Sequence, residues 1–524
     1  MFNYDINQMS IDDKIGQLCM FGFDGLTVND DIIDLIKKYR LGNIILFARN
    51  VQSAEQLFNL NKNLQKLALS SIGIPLFISI DQEGGMVTRI FNGSTFFPGA
   101  MTISATNEVK NAYKLGQIMG EELNALGINM NLAPVMDVNN NPKNPVIGVR
   151  SFSDNPDVVA AYSTAFALGL QEYNVVATAK HFPGHGDTNI DSHLGLPVIK
   201  HDLERLKEVE FKPFIHAINH GIKGVMSSHI NFPNLTQDEH PATLSKSIMT
   251  DLLRDSFGFK GLIVSDGMGM KGVVDKYTTE EACVRAINAG VNLVCVCHSH
   301  QPRIETIEHI KQAVLDGRIT METLDNHVKL ILEHKKELIH LDLEQSYESI
   351  IPIVDNKKHQ QFSYQVVEDA LTLIKGNPIK LSDKALYLGI LPAVLNIADD
   401  ALGNTKLIGP VKEIKNLDVN IVELNPTSEE IQSYVQLAKN YNQVIFTTYN
   451  GNNHEGQINL INELAKLDND LHVISLRNPY DLYYTKQIKN YVCLYEYTPN
   501  SIQVLKKYLK GEITPKGIVP IRYE

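Results

Sequence analysis

The sequence predicts an α/β protein: an N-terminal (β/α)8 TIM-type barrel followed by a smaller three-layer αβα sandwich. Eight short apolar runs alternate with longer amphipathic stretches between residues 16 and 296, polar residues recur at the ends of those runs, and five similar runs follow residue 358. Nearly apolar strands alternating with helices form parallel sheets covered on both faces, and eight such units close into a barrel. An open doubly wound sheet is the competing architecture.

The eight runs are GQLCMFGF (16–23), NIILF (43–47), LFISID (76–81), MNLAPVMD (130–137), VVATAKHF (175–182), GVMSSH (224–229), GLIVSD (261–266) and VNLVCV (291–296). Between them the spacing predicts helices. One spans 107–126, with Val109, Ala112, Leu115, Ile118 and Met119 on one face, and another spans 154–172, with Val158, Ala161, Ala165 and Leu168. Helical patterns over 301–316 and 321–338 complete a barrel domain of residues 1–340, and 341–358 reads as a linker. The segment 359–524 then carries ALYLGIL (385–391), VNIVEL (419–424), QVIFTTY (443–449), LHVISL (471–476) and YVCLYEY (491–497), separated by helix-compatible stretches such as 428–440 and 456–467. Alternation again predicts layers of helices on a sheet. No G-x-G-x-x-G follows its first strand, so a dinucleotide site has no support and no cofactor is expected.

Composition narrows the class of partner. Over 524 residues the chain is 44 % hydrophobic and 21 % charged, as ordinary soluble globular proteins are. A net charge of −12 without a basic block argues against nucleic acid or an anionic membrane. MFNYDINQMSIDDKIGQ has no basic segment followed by an apolar one, and no uncharged apolar run approaches the ~20 residues of a membrane span. Five cysteines (Cys19, Cys283, Cys295, Cys297 and Cys493) are too few and odd in number for a disulfide framework, so the cytoplasm is the expected compartment. Cys295 and Cys297 read as structural thiols of a strand rather than metal ligands.

Candidate chemistry gathers at strand ends, where a barrel places its active site. Asp81, Asp137, Lys180, His181, His229 and Asp266 all stand there. The densest polar stretch is KHFPGHGDTNIDSH (180–193). His181 and His185 have the i, i+4 spacing of a zinc helix, but Pro183 and Gly184 between them make a helix improbable, so no metal is expected. In an extended segment Asp191 and His193 point the same way, and the carboxylate can favour the protonated imidazole, making a charge-tuned general acid. A polar surface pair is the competing reading. Asp266 precedes the glycine-rich turn GMGMKG and can face a substrate carbon as a nucleophile, or cap the next helix.

Together these stretches resemble glycoside hydrolase family 3, in its β-N-acetylhexosaminidase branch. The likeness runs from IGQLCMFGF through DQEGGMVTR (81–89), NLAPVMDV, NPVIGVRSFS (144–153), the KHFPGHG…DSH block, MSSHI and IVSDGMGMKGV, and continues into ALTLIKG, SLRNPYD and GIVPI. The resemblance implies a retaining exo-β-N-acetylglucosaminidase in which Asp266 is the nucleophile and His193, paired with Asp191, the acid/base. It further implies that Asp81, Arg89, Arg150, Lys180 and His181 bind the sugar, with His229 and Met270 as additional candidates, and that muropeptides or chitin oligosaccharides carrying N-acetylglucosamine are substrates. Gly267 stands where many relatives carry a second acidic residue, which bears on aglycone preference. Phosphate in place of water as acceptor is the alternative enzyme reading. An inactive sugar-binding protein is the alternative from another class, although such a protein would have no need to retain Asp266 and His193.

Overall fold

The computed structural model describes residues 4–236, 239–298, 300–390, 408–485 and 487–523. Eight parallel strands close into a barrel in chain order: β1 (Cys19–Phe21), β2 (Asn43–Leu46), β3 (Phe77–Ile80), β4 (Met130–Asn131), β5 (Val176–Phe182), β6 (Gly224–Ser227), β7 (Leu262–Gly267) and β8 (Leu293–Val296), with β8 pairing back onto β1. Helices between them cover the outside. Among the described residues, no helix is long and apolar enough to cross a membrane.

Several strands are shorter than the apolar runs that predict them. Ser10 and Asp13 form a reciprocal capping box that starts a helix over Ile11–Leu18, so residues 16–18 turn helically and β1 begins at Cys19. β4 is only two residues long because Pro134 has no N–H to give a ladder. Side-chain amides replace the missing pairing. Asn129 Oδ1 accepts from Ile78 N (2.8 Å) and its Nδ2 donates to Leu76 O (3.0 Å), while Asn131 makes the same two-way contact with Gln82. These buried asparagines complete the backbone pairing that a packed interior requires.

The second domain holds a sheet in the order β11–β10–β12–β13–β14–β9, with β9 (Thr372–Lys375), β10 (Ala385–Ile390), β11 (Leu417–Val422), β12 (Gln443–Thr448), β13 (Asp470–Ser475) and β14 (Asn490–Cys493). Five strands run parallel. The sixth, β9, is absent from the sequence reading and pairs antiparallel with β14 at the edge. Leu391, which the sequence places in the strand that begins the sandwich, lies outside the described residues.

Residues 341–358, read as a linker, contain the helix Tyr347–Val354, whose Ile350 and Val354 are fully buried in the barrel's hydrophobic cluster. The next helix, Lys357–Ala370, gives Val366 to the barrel cluster and Val367 to the sandwich cluster. A third cluster joins Met101, Ala105 and Val149 of the barrel to Tyr480, Tyr495 and Ile521. Buried Glu496 accepts hydrogen bonds from Gly99 N (2.8 Å) and Thr102 Oγ1 (2.7 Å) across the same junction.

Candidate active site

At the carboxyl ends of the barrel strands a cleft of about 680 Å³ opens, a size suited to a small-molecule ligand. Asp81, Arg89, Arg150, Lys180, His181, His193, Asp266 and Met270 all line it. Among the described residues, every one that lines it falls between Ile45 and Pro302, and none of the second domain's described residues contributes to its wall.

Asp266 owes its position to β7. Pairing of β7 with β8 becomes irregular between Val264 and Gly267, which turns the strand end into the cleft. Gly267 N donates to Asp266 Oδ1 at 2.7 Å. Burial alone would raise this carboxyl; the positive potential of His181, His229 and His193, together with that N–H, outweighs it and holds the pKa near about 2. Asp266 is therefore an anion throughout the neutral range.

Opposite it, Asp191 Oδ1 accepts from His193 N (2.9 Å) and pairs with His193 Nδ1 (2.7 Å). Burial works against the charged imidazole, but the Asp191 hydrogen bond and the charges of Asp266 and Asp191 overcome it, and the pKa is raised. The ring is one-quarter exposed, with 23 % of its side-chain surface open. It can exchange a proton with a ligand.

The floor is an ion-pair network. Lys180 Nζ lies 2.8 Å from Asp81 Oδ1 and 2.6 Å from Glu83 Oε1; Arg150 grips both Glu83 oxygens, at 2.7 and 2.9 Å; Arg89 stands 3.9 Å from Asp81. Burial would discharge Lys180, yet the two carboxylates keep its pKa raised, and the Arg150 and Lys180 charges push Glu83 well below the usual carboxylate range. Such charged, directional groups suit a polyhydroxylated neutral ligand. Irregular pairing of β5 with β6 between Ala179 and Phe182 is what aims Lys180 and His181 here.

Fully buried Asp137 anchors the loop that follows. It accepts from the backbone N–H of His181 and of His185 (2.6 Å) and pairs with His181 Nδ1 at 2.7 Å. Gly186 lets the loop return over Val138, because a Cβ there would stand 1.7 Å from the Val138 carbonyl oxygen. His229, in contrast to the other candidates, stands behind the cleft wall. Its Nε2 donates to Gly267 O (3.0 Å) and its Nδ1 meets Thr243 Oγ1 (2.9 Å), so both ring nitrogens are engaged by protein. Burial lowers its pKa.

Sequence reasoning did not find Glu83, nor the mouth residues Phe47, Arg49 and His298. Arg49 lies 4.5 Å over the Phe47 ring, donates to Cys297 O (2.7 Å) and touches His298 Nδ1 (3.2 Å). Position two beyond Asp81 in DQEGG is the only signal for Glu83. Among the described residues, one group has donors close enough for an ion: Asp187, His201 and Glu210, within 4.8 Å of one another. Asp187 is already paired to His201 (2.6 Å) and Glu210 to Arg205 (2.7 Å), and none of the three lines the cleft.

Comparison with known proteins adds to this geometry. Residues 10–334 match the glycosyl hydrolase family 3 N-terminal domain. The chain is 36 % identical over 391 residues to a "Beta-hexosaminidase A" of Pseudoalteromonas piscicida, covering 70 % of this chain and 64 % of that protein, so it spans somewhat less than two thirds of that relative. It is 35 % identical over 286 residues to a "Beta-hexosaminidase" of Shewanella frigidimarina, covering 53 % of this chain and 81 % of the relative. Among solved structures, a family 3 β-N-acetylglucosaminidase of Paenibacillus sp. superposes with a TM-score of 0.90 at 35 % identity, over 98 % of this chain and 99 % of that one.

Proposed function

Because the chain belongs to glycosyl hydrolase family 3, we propose that it is a retaining β-N-acetylglucosaminidase that removes terminal non-reducing N-acetylglucosamine from muropeptides or chitin oligosaccharides in the cytoplasm. The observation that carries this reading is the convergence, in one cleft, of an ionised carboxylate at the end of β7 and an imidazole whose pKa a neighbouring carboxylate raises.

In the first step an Asp266 oxygen forms a bond to the anomeric carbon as the glycosidic C–O bond breaks, and His193 gives its proton to the departing oxygen. In the second, neutral His193 takes a proton from water; the water oxygen bonds to the anomeric carbon and the bond to Asp266 breaks. Net retention follows from two inversions. Asp191 keeps the His193 proton available in the first step and stabilises the imidazolium formed in the second. Asp81, Arg89, Arg150, Lys180 and His181 hold the sugar, with Glu83 fixing Arg150 and Lys180. We assign His229 to the nucleophile's turn, which it holds through Gly267, and Met270 to the pocket wall.

Incubation with a fluorinated mechanism-based N-acetylglucosaminide tests the reading. Covalent sugar is expected on the peptide containing Ser265-Asp266-Gly267, and the first product released from a natural substrate should be the β-anomer. Label elsewhere, or α-product, contradicts it. Formation of a sugar phosphate in phosphate buffer would show that phosphate is the acceptor.

A further inference from the structure

We propose that His185 is a positioning residue for proton transfer: its ring holds Ser192 and thereby fixes where the adjoining His193 imidazole stands. The proposal rests on the reading of His193 as the proton donor.

His185 is 2 % exposed and makes two side-chain contacts within the loop, Nδ1 to Thr188 Oγ1 (2.8 Å) and Nε2 to Ser192 Oγ (3.1 Å). Hydrogen-bond direction is settled by the neighbours. The Thr188 hydroxyl donates to His185 O (3.1 Å), so its oxygen accepts from Nδ1–H; in a neutral ring Nε2 is then the acceptor, and the Ser192 hydroxyl donates to it. Burial and the positive charge of His181 lower the His185 pKa to about 4, which keeps the ring in this neutral form. The far side of the loop is tied independently, since Asn144 Nδ2 donates to both His185 O (2.8 Å) and Gly186 O (2.9 Å).

Ser192 is held from a second direction. Gly272 N, just beyond the turn that follows Asp266, donates to Ser192 O at 3.0 Å. The approach is close, since a Cβ on Gly272 would come within 3.2 Å of that same oxygen and 3.1 Å of the His229 carbonyl oxygen. The residue between the members of the Asp191–His193 pair is thus clamped by a side chain of its own loop and by the backbone of the nucleophile's loop. Asp191 orients the His193 ring about its own bonds, but it travels with the loop; His185 and Gly272 fix the loop itself. Misplacing a proton donor by a fraction of a bond length penalises the step that needs the proton and spares one that does not.

The test compares His185→Ala, His185→Gln and Ser192→Ala with His193→Ala on chitobiose and on a dinitrophenyl N-acetylglucosaminide, for full-length proteins whose melting temperatures are recorded. Expected for His185→Ala and Ser192→Ala is a fall in kcat/KM of about tenfold or more on chitobiose and under about threefold on the activated glycoside. The Gln variant, whose Oε1 reaches about as far as Nε2 and can still accept from Ser192, should recover most of the loss. Combining His185→Ala with Ser192→Ala should cost little more than either alone. Equal losses on both substrates, or a Ser192→Ala enzyme that behaves as wild type, overturn the proposal; should His185→Ala fail to fold, the Ser192→Ala result decides. If His193→Ala itself shows no preference for the activated substrate, the proton-donor reading fails and the proposal falls with it. If only the His185 and Ser192 variants lack that preference, the proposal alone is wrong.

Discussion

Parallel strands of two sheets end in polar side chains in this molecule, and those side chains meet opposite fates. In the barrel, Asp81, Lys180, His181 and Asp266 stand at strand ends and face an open cleft. In the sandwich, the corresponding end of β12 and the segment after β13 place Thr448 and Asp481 together, with Asp481 fully buried and accepting from Thr448 Oγ1 (2.5 Å), Asn452 N (3.1 Å) and Tyr491 OH (3.2 Å). Nearby Tyr480 reaches across to the barrel, where its hydroxyl accepts from Asn139 Nδ2 (2.6 Å) while Asn139 Oδ1 takes the Gly148 N–H (3.0 Å), two residues from Arg150. One sheet builds a site and the other props the segment that carries Arg150. Polar residues at the ends of parallel strands therefore do not by themselves decide function; what covers the strand ends does.

The largest contrast should come from Asp266, the proposed nucleophile. Asp266→Asn is expected to lower kcat on all substrates by at least about a thousandfold, roughly 4 kcal/mol of barrier, because an amide cannot form the ester-like intermediate. Steady-state kinetics on a folded protein check this, and near-normal turnover would remove Asp266 from the mechanism. A smaller effect is expected at Asp191. His193 must be protonated to act as the acid, and Asp191 raises its pKa, so activity falls as pH rises through that pKa. Asp191→Ala should move this alkaline limb of kcat/KM to lower pH, and an unmoved limb would separate the pair.

Loss of the buttress should be milder still. A chain ending after Ala370 keeps every cleft-lining residue among those described, together with Ile350, Val354 and Val366. Its kcat should stay within about tenfold of the full chain, with KM raised as the Arg150 segment loosens; a greater loss of kcat in a cooperatively folded product would show that the sandwich completes the site. A cut near Leu341 also removes those three core residues and should lower the melting temperature further.

The smallest predicted effect concerns Asp481, whose pKa burial raises to about 6 against the hydrogen bonds it accepts. A carboxyl raised above its unfolded value binds an extra proton in the native state, so its contribution to stability is fully present below pH ~4 and is lost, by about 2–3 kcal/mol, as pH rises toward ~6. Asp481→Asn should flatten that part of the melting-temperature profile. An unchanged slope would mean that the charge is solvated.

Much of this was legible in the residues because alternation and strand-end polarity are local signals. The barrel, Asp266, and the Asp191–His193 spacing all announce themselves within a few positions. What escaped depends on competition or on return of the chain. The Ser10–Asp13 capping box claimed residues that apolarity alone assigned to β1. Val109, expected on a buried helical face, is 40 % exposed at the first turn of Val109–Ala125. The edge strand β9 is short, and only its antiparallel partner β14 defines it. Glu83 meets Lys180 and Arg150 solely through tertiary folding of the Gly84–Gly85 turn. His185, set aside with the zinc spacing, has partners that lie later in the same loop.

The central claim is that the anion of Asp266 attacks while His193 delivers the proton. It is tested most directly by measuring kcat/KM of wild type and His193→Ala across aryl N-acetylglucosaminides of graded leaving-group pKa. Wild type should show a shallow dependence, and His193→Ala a steep one that approaches wild-type rates only for the most acidic phenol. Parallel lines for the two enzymes would contradict the account.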